Sequence, residues 1–165
     1  MNHCFALTMP IPYCLCVIDV QQGFSSAAQV ASMCAYAVQQ AVQHGAFIAI
    51  AQYYKYGKTH SVITDILKGV SPAQYGFCMA NKDNKESSVR RLLYDRNIQV
   101  NSIYICGVNT SACVLCTVDA LSKIHPEKTI MVLTKACGDV SDFYHQHGLS
   151  LMKKNYRNVI LDVYN

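Results

Sequence analysis

The chain has 165 residues, of which 52% are hydrophobic and 15% charged, and a net charge of +4. That length holds one domain with a real core and not two, and the balance excludes a disordered chain. The basic residues are scattered, adjacent only at Arg90-Arg91 and Lys153-Lys154, so no footprint for a phosphate backbone is present and nucleic acid is not expected as a partner.

No window approaches the ~18 uninterrupted apolar residues of a membrane-spanning helix. Met1 to Pro12 lacks a basic leader ahead of an apolar run, so a soluble cytoplasmic protein with no membrane partner is expected. The nine cysteines are odd in number and lie mostly inside apolar segments. In a reducing compartment they read as small buried hydrophobes rather than a disulfide framework.

The first element in chain order is the apolar run Tyr13-Cys-Leu-Cys-Val-Ile-Asp-Val20, which suits a strand buried on both faces and meets its first charge at Asp19. Ser25 and Ser26 offer a cap, Val30, Met33, Cys34, Ala37, Val38 and Ala41 recur at helical spacing, and Gly45 follows as a stop, so residues 27 to 44 are expected to be a helix. Residues 46 to 51 form the next strand, completing a right-handed βαβ unit with parallel strands. Between 52 and 72 only 61 to 67 reads as helix. Strands follow at 75 to 80, 102 to 106, 129 to 134 and 159 to 163, with helices at 86 to 96, 112 to 123 and 141 to 155.

Alternating strands and helices, with strands apolar on both faces, predict a three-layer α/β/α sandwich around a six-stranded, mostly parallel Rossmann-like sheet, as one domain over 1 to 165. Ligands in such sheets bind beyond the carboxyl ends of the strands, where the strand order reverses. Asp19 closes the first strand, Lys82 follows the third by two residues, and Cys113 follows the fourth across the turn Gly107-Val-Asn-Thr110. Taken singly these are a cap, a solvated lysine and a helix cysteine; their convergence suggests chemistry. A thiol near pKa ~8.5 needs help to ionise. A helix N-terminus and Lys82 would lower its pKa, Asp19 would act as general base and acid, and the backbone N–H groups of Ala112 and Cys113 would receive an oxyanion.

The strings around these residues resemble the isochorismatase-like hydrolase superfamily, which includes nicotinamidases and carbamoylsarcosine amidases. Val17-Ile-Asp-Val-Gln-Gln-Gly-Phe24 is similar to its opening motif, Gly107-Val-Asn-Thr-Ser-Ala-Cys-Val-Leu-Cys-Thr-Val-Asp-Ala120 to its nucleophile motif, and His145 with Gly148-Leu149 to its late helix. The resemblance runs from about 13 to 163 and implies a triad of Asp19, Lys82 and Cys113, with Lys85 as the other lysine in reach. It also implies a cis peptide at Val108-Asn109 and a homo-oligomer, dimer or tetramer. Nicotinamidases carry an Asp-x-His metal motif after the second strand, where this chain has Gln52-Tyr-Tyr-Lys-Tyr-Gly57. The expectation is therefore a small-molecule substrate whose amide, ureido or related C–N bond is cleaved with no metal or other cofactor, in a pocket lined by Phe24, Tyr53, Tyr54 and Asn109.

Two other classes stay open. Cys113-Val-Leu-Cys116 has the spacing of a dithiol redox site, though its spacer is apolar and redox use leaves Asp19 and Lys82 without a role. A binding or scaffold protein could keep the fold without turnover. Zinc is not expected, since Cys14-x-Cys16 has no second ligand pair and the two side chains are expected on opposite faces of their strand. Gly57-Lys58-Thr59 imitates the end of a phosphate loop, but Gln52 stands where its glycine is required.

Overall fold

The computed structural model describes residues 12–162. Residues 1 to 11 and Val163, which closes the last expected strand, lie outside the described residues. The elements run β1 (Cys14–Ile18), α1 (Ala27–Gln43), β2 (Phe47–Tyr53), α2 (Ser61–Leu67), β3 (Tyr75–Ala80), α3 (Glu86–Asp95) and β4 (Ser102–Val108). A π-helical turn (Thr110–Val114) then leads into α4 (Leu115–Ile124), followed by β5 (Thr129–Gly138), α5 (Asp142–Asn155) and β6 (Val159–Asp162). All strand pairs are parallel, in the order β3-β2-β1-β4-β5-β6.

The alternation of side chains along β1 splits the core in two. Leu15 and Val17 join Val30, Cys34 and Val38 of α1 and Ile63 and Leu67 of α2 on one face. Cys14, Cys16 and Ile18 join Val89, Val118, Leu121 and Met152 of α3, α4 and α5 on the other. Residues two apart on a strand share a face, so the expectation for Cys14 and Cys16 is corrected: their sulfurs lie 3.8 Å apart in one apolar cluster. Among the described residues no group of three His, Cys, Asp or Glu side chains is gathered for a metal ion. No described helix is long and apolar enough to cross a membrane.

The chain moves outward from β1 through β2 to β3, then returns to the opposite side of β1 to lay down β4. The order therefore reverses between β1 and β4, and the loops beyond their carboxyl ends diverge there. The two strands meet closely at Gly107, whose φ is +139° and whose added Cβ would stand 2.1 Å from the Ile18 carbonyl oxygen. Only glycine fits both the backbone and the space.

β5 runs four residues beyond its expected end at 134. Its register against β4 shifts between Ile105 and Gly107, and after the exposed Lys135 it returns Ala136 and Cys137 to the core. The extension carries Asp139 to the start of the π turn, where its carboxylate accepts from the Ser111 backbone N–H at 2.7 Å and the Ser111 hydroxyl at 2.8 Å. Helical structure thus begins at 110 instead of 112, with a carboxylate satisfying an otherwise unpaired donor.

Candidate active site

Asp19 follows β1 in a left-handed conformation, φ 54°, that turns its carboxyl inward. Asn109, also left-handed at φ 60°, ψ 66°, follows β4. All described peptide bonds are trans, so the expected cis bond at Val108-Asn109 is absent and the left-handed Asn109 makes the turn instead. Ser26 donates from its hydroxyl to Asn109 Oδ1 at 3.4 Å, and Asn109 Nδ2 reaches the Cys113 sulfur at 4.0 Å. Thr110 stabilises the turn from beneath, donating to the Gly138 carbonyl at 3.0 Å and lying 2.8 Å from His145 Nδ1. α5 comes this close because residue 148 is glycine: a Cβ there would stand 2.9 Å from the Ser111 Cα.

The lysine that reaches Asp19 is Lys85. Its ammonium, fully buried, lies 2.9 Å from Asp19 Oδ2, which is buried too. The same nitrogen donates to the Lys82 carbonyl at 2.7 Å and sits 4.2 Å from the centre of the Tyr53 ring. Lys82 is exposed and contributes its backbone oxygen, so the expected placement is corrected by three residues. The reason is local: Asn84 Oδ1 accepts from the Glu86 N–H at 2.8 Å and opens α3, and the Lys85 N–H donates to Thr117 Oγ1 at 3.0 Å. Thr117, one helical turn beyond Cys113, in turn donates to the Cys113 carbonyl at 2.8 Å. These bonds turn Lys85 inward and leave Lys82 in solvent.

Cys113 is 2% exposed and its thiol points at Asp83 Oδ1, 3.8 Å away. Burial pushes this thiol well above its ordinary pKa, and the negative charge of Asp19 adds to the effect; Lys85 opposes it and Asp83 reinforces it. A lysine does lower the thiol pKa, as expected, but burial and two carboxylates outweigh that one ammonium, so the net shift in the resting site is upward. Burial likewise raises Asp19, with Lys85 pulling the other way. Neither Asp19 oxygen receives a well-aligned hydrogen bond. The carboxyl thus holds a proton more readily than a solvated aspartate would, which suits a group that must accept one.

Of the other expected residues, Tyr53 stands over Lys85, and Phe24 meets Tyr53 edge-on at 6.3 Å and stacks on Tyr56 at 4.3 Å. Tyr54, 52% exposed, turns outward under the Lys55 ammonium. The Ala112 N–H donates to the Asn109 carbonyl at 2.9 Å, so it is engaged by the turn rather than aimed at an oxyanion. Gln52, at the position of the metal motif, donates to Thr59 Oγ1 at 2.8 Å. Two hollows lie elsewhere: about 590 Å³ lined by Thr134, His145 and Lys153, and about 450 Å³ lined by Tyr13, Met33 and Tyr104. Cys113 lines neither of them and sits at the strand-order reversal.

The isochorismatase domain matches residues 13–162. The chain belongs to the isochorismatase family. No curated protein matches it significantly by sequence. Its fold is similar to solved structures of low identity. The nicotinamidase/pyrazinamidase of Bacillus subtilis is 14% identical with TM-score 0.79, over 92% of this chain and 100% of that one. The nicotinamidase of Staphylococcus aureus is 16% identical with TM-score 0.76, over 92% and 99%. The MAR1 ribonuclease of Caenorhabditis elegans is 15% identical with TM-score 0.75, over 92% and 77%.

Within this isochorismatase-family fold, sequence reasoning missed Asp83, Thr117 and Asp139. Thr117 carries a legible signal, its i+4 spacing from Cys113. Asp83 and Asp139 carry none, because their places depend on how loops from distant elements close.

Proposed function

We propose that this isochorismatase-family protein is a cysteine hydrolase that cleaves an amide, ureido or related C–N bond of a small molecule. Cys113 is the nucleophile, Asp19 the proton carrier and Lys85 its buried counter-ion. The observation that carries the reading is the buried Asp19–Lys85 pair at 2.9 Å beneath a thiol at the carboxyl ends of β1 and β4.

In this mechanism the resting thiol is neutral. Its proton passes to Asp19 as sulfur attacks the substrate carbonyl carbon, forming the S–C bond and placing negative charge on oxygen, which the Cys113 N–H receives. Asp19 returns the proton to the leaving nitrogen, the C–N bond breaks, and an acyl or carbamoyl thioester remains. Asp19 then takes a proton from water, the resulting hydroxide attacks the thioester, and the departing sulfur recovers that proton. Lys85 stabilises Asp19 as a carboxylate between these transfers and keeps its proton affinity from rising further. No step requires a metal, and the amide of Gln52 tied to Thr59 supports that choice. Small-molecule turnover by a cytoplasmic homo-oligomer is part of the same reading.

Intact-mass spectrometry tests it during incubation with a panel of primary amides and N-carbamoyl amino acids, read together with ammonia release. An adduct on Cys113 is expected during turnover. Cys113→Ala and Asp19→Asn should each lower turnover by about a thousandfold or more, whereas Lys82→Ala keeps it. Neither adduct nor ammonia across the panel would favour a binding protein that retains the fold.

A further inference from the structure

The mechanism above uses one carboxylate, yet two face the thiol. Asp83 Oδ1 lies 3.8 Å from the Cys113 sulfur, in the exposed loop between β3 and α3. Lys85, two residues along, is committed to Asp19. Among the described residues Asp83 makes no ion pair within 4.0 Å. With Asp19 and Lys85 paired, Asp83 is the carboxylate beside the thiol that is left without a counter-ion among the described residues.

A second observation is the group of rings formed by Phe24, Tyr53 and Tyr56, which pack at 4.3 to 6.3 Å from one another beside Lys85. Ring faces attract cations and not anions, and one ammonium already lies over Tyr53. An exposed carboxylate without an ion-pair partner beside the thiol, and aromatic rings close by, together suit a group rich in N–H and positively charged.

We propose that Asp83 determines the specificity of this site, selecting a substrate that carries a protonated amine or amidinium beside its scissile C–N bond. The inference rests on the hydrolase reading of Cys113. It adds a consequence for activation: Asp83 is among the charges that hold the thiol up, so a bound cation that neutralises it makes proton loss from Cys113 easier. A correctly charged substrate thereby activates its own nucleophile, and an anionic one meets a carboxylate beside the thiol.

Methanethiosulfonates of equal reactive chemistry test this on the full chain: the cationic 2-(trimethylammonio)ethyl reagent, the anionic 2-sulfonatoethyl reagent and the neutral methyl reagent. Each thiol displaces methanesulfinate and forms a mixed disulfide, and peptide mapping isolates the rate at Cys113. The cation-to-anion rate ratio, divided by that for 2-mercaptoethanol, should exceed about tenfold in the wild type, fall towards one in Asp83→Asn and invert in Asp83→Lys, all at low salt. A corrected ratio near one in the wild type, or one left unchanged by both substitutions, overturns the proposal. The hydrolase reading fails separately, through absence of the Cys113 adduct with amides, while the rate ratio still reads Asp83.

Discussion

The two sides of the site are built differently. Asp19, Asn109 and Cys113 hang on the ends of β1 and β4, neighbouring strands in the middle of the sheet, where Gly107 leaves no slack against Ile18. Lys85 and Asp83 come from a loop after β3, an edge strand with Phe77 46% and Met79 57% exposed. On the first side the ends of two paired central strands set where the residues start, and contacts from β5 and α5 hold the turn that carries Cys113. On the second the placement depends on a few hydrogen bonds to another element. Central strands fix chemistry through packing, and an edge loop fixes it through particular partners.

The largest expected effect contrasts the two lysines of that loop. Lys85→Ala leaves Asp19 buried without its counter-ion and should cost about 3–5 kcal/mol in urea unfolding. Lys82→Ala should change stability by no more than about 0.5 kcal/mol, because only the Lys82 carbonyl is used. The loss in Lys85→Ala has a pH signature. Burial already raises the Asp19 pKa in the folded state, and removing Lys85 raises it further. A raised carboxyl favours folding most when protonated, so the deficit should shrink as pH falls through the folded pKa of Asp19. Equal effects of the two substitutions would contradict the ion pair.

This contrast also shows what the sequence could convey. The helix spacing and the strand ends at Asp19 and before Cys113 follow from apolar periodicity, and the structure bears out the parallel six-stranded sheet. Lys82 is the nearer lysine to the end of β3, but nearness along the chain does not decide which side chain enters. Thr117 and Asn84 decide it, and a polar residue on a helix does not announce a partner 32 residues away. The Ala112 N–H follows the same logic: periodicity shows a helix start and not the π-helical turn that engages that donor.

A second test uses the edge strand itself. Cys78 on β3 has its thiol pushed up to about 12, first by burial and then by the negative charges of Cys16 and Asp19, from an ordinary value of 9.0. Its stabilising contribution is present below pH 9.0, where the unfolded chain also keeps the proton, and is lost as pH rises towards about 12. Comparing unfolding free energies at pH 8 and pH 11, Cys78→Ala should fall less steeply than the wild type by about 2 kcal/mol. Equal slopes would mean that the edge strand leaves this thiol open to water in both states.

The smallest expected effect lies where the two sides are joined. Thr117 Oγ1 accepts from the Lys85 N–H and donates to the Cys113 carbonyl, so one hydroxyl ties the loop to the helix that carries the thiol. Thr117→Val keeps the shape and removes both bonds, which should cost about 1–2 kcal/mol; Thr117→Ser should restore most of it. The cost alone does not establish the tie, since any buried hydroxyl without a partner would show one. A double-mutant cycle does: if Thr117 acts by holding Lys85, the losses from Thr117→Val and Lys85→Ala should fall short of additivity by at least about 0.5 kcal/mol. Additive losses would make Thr117 a packing residue of α4 and leave the inward turn of Lys85 to its pair with Asp19 alone.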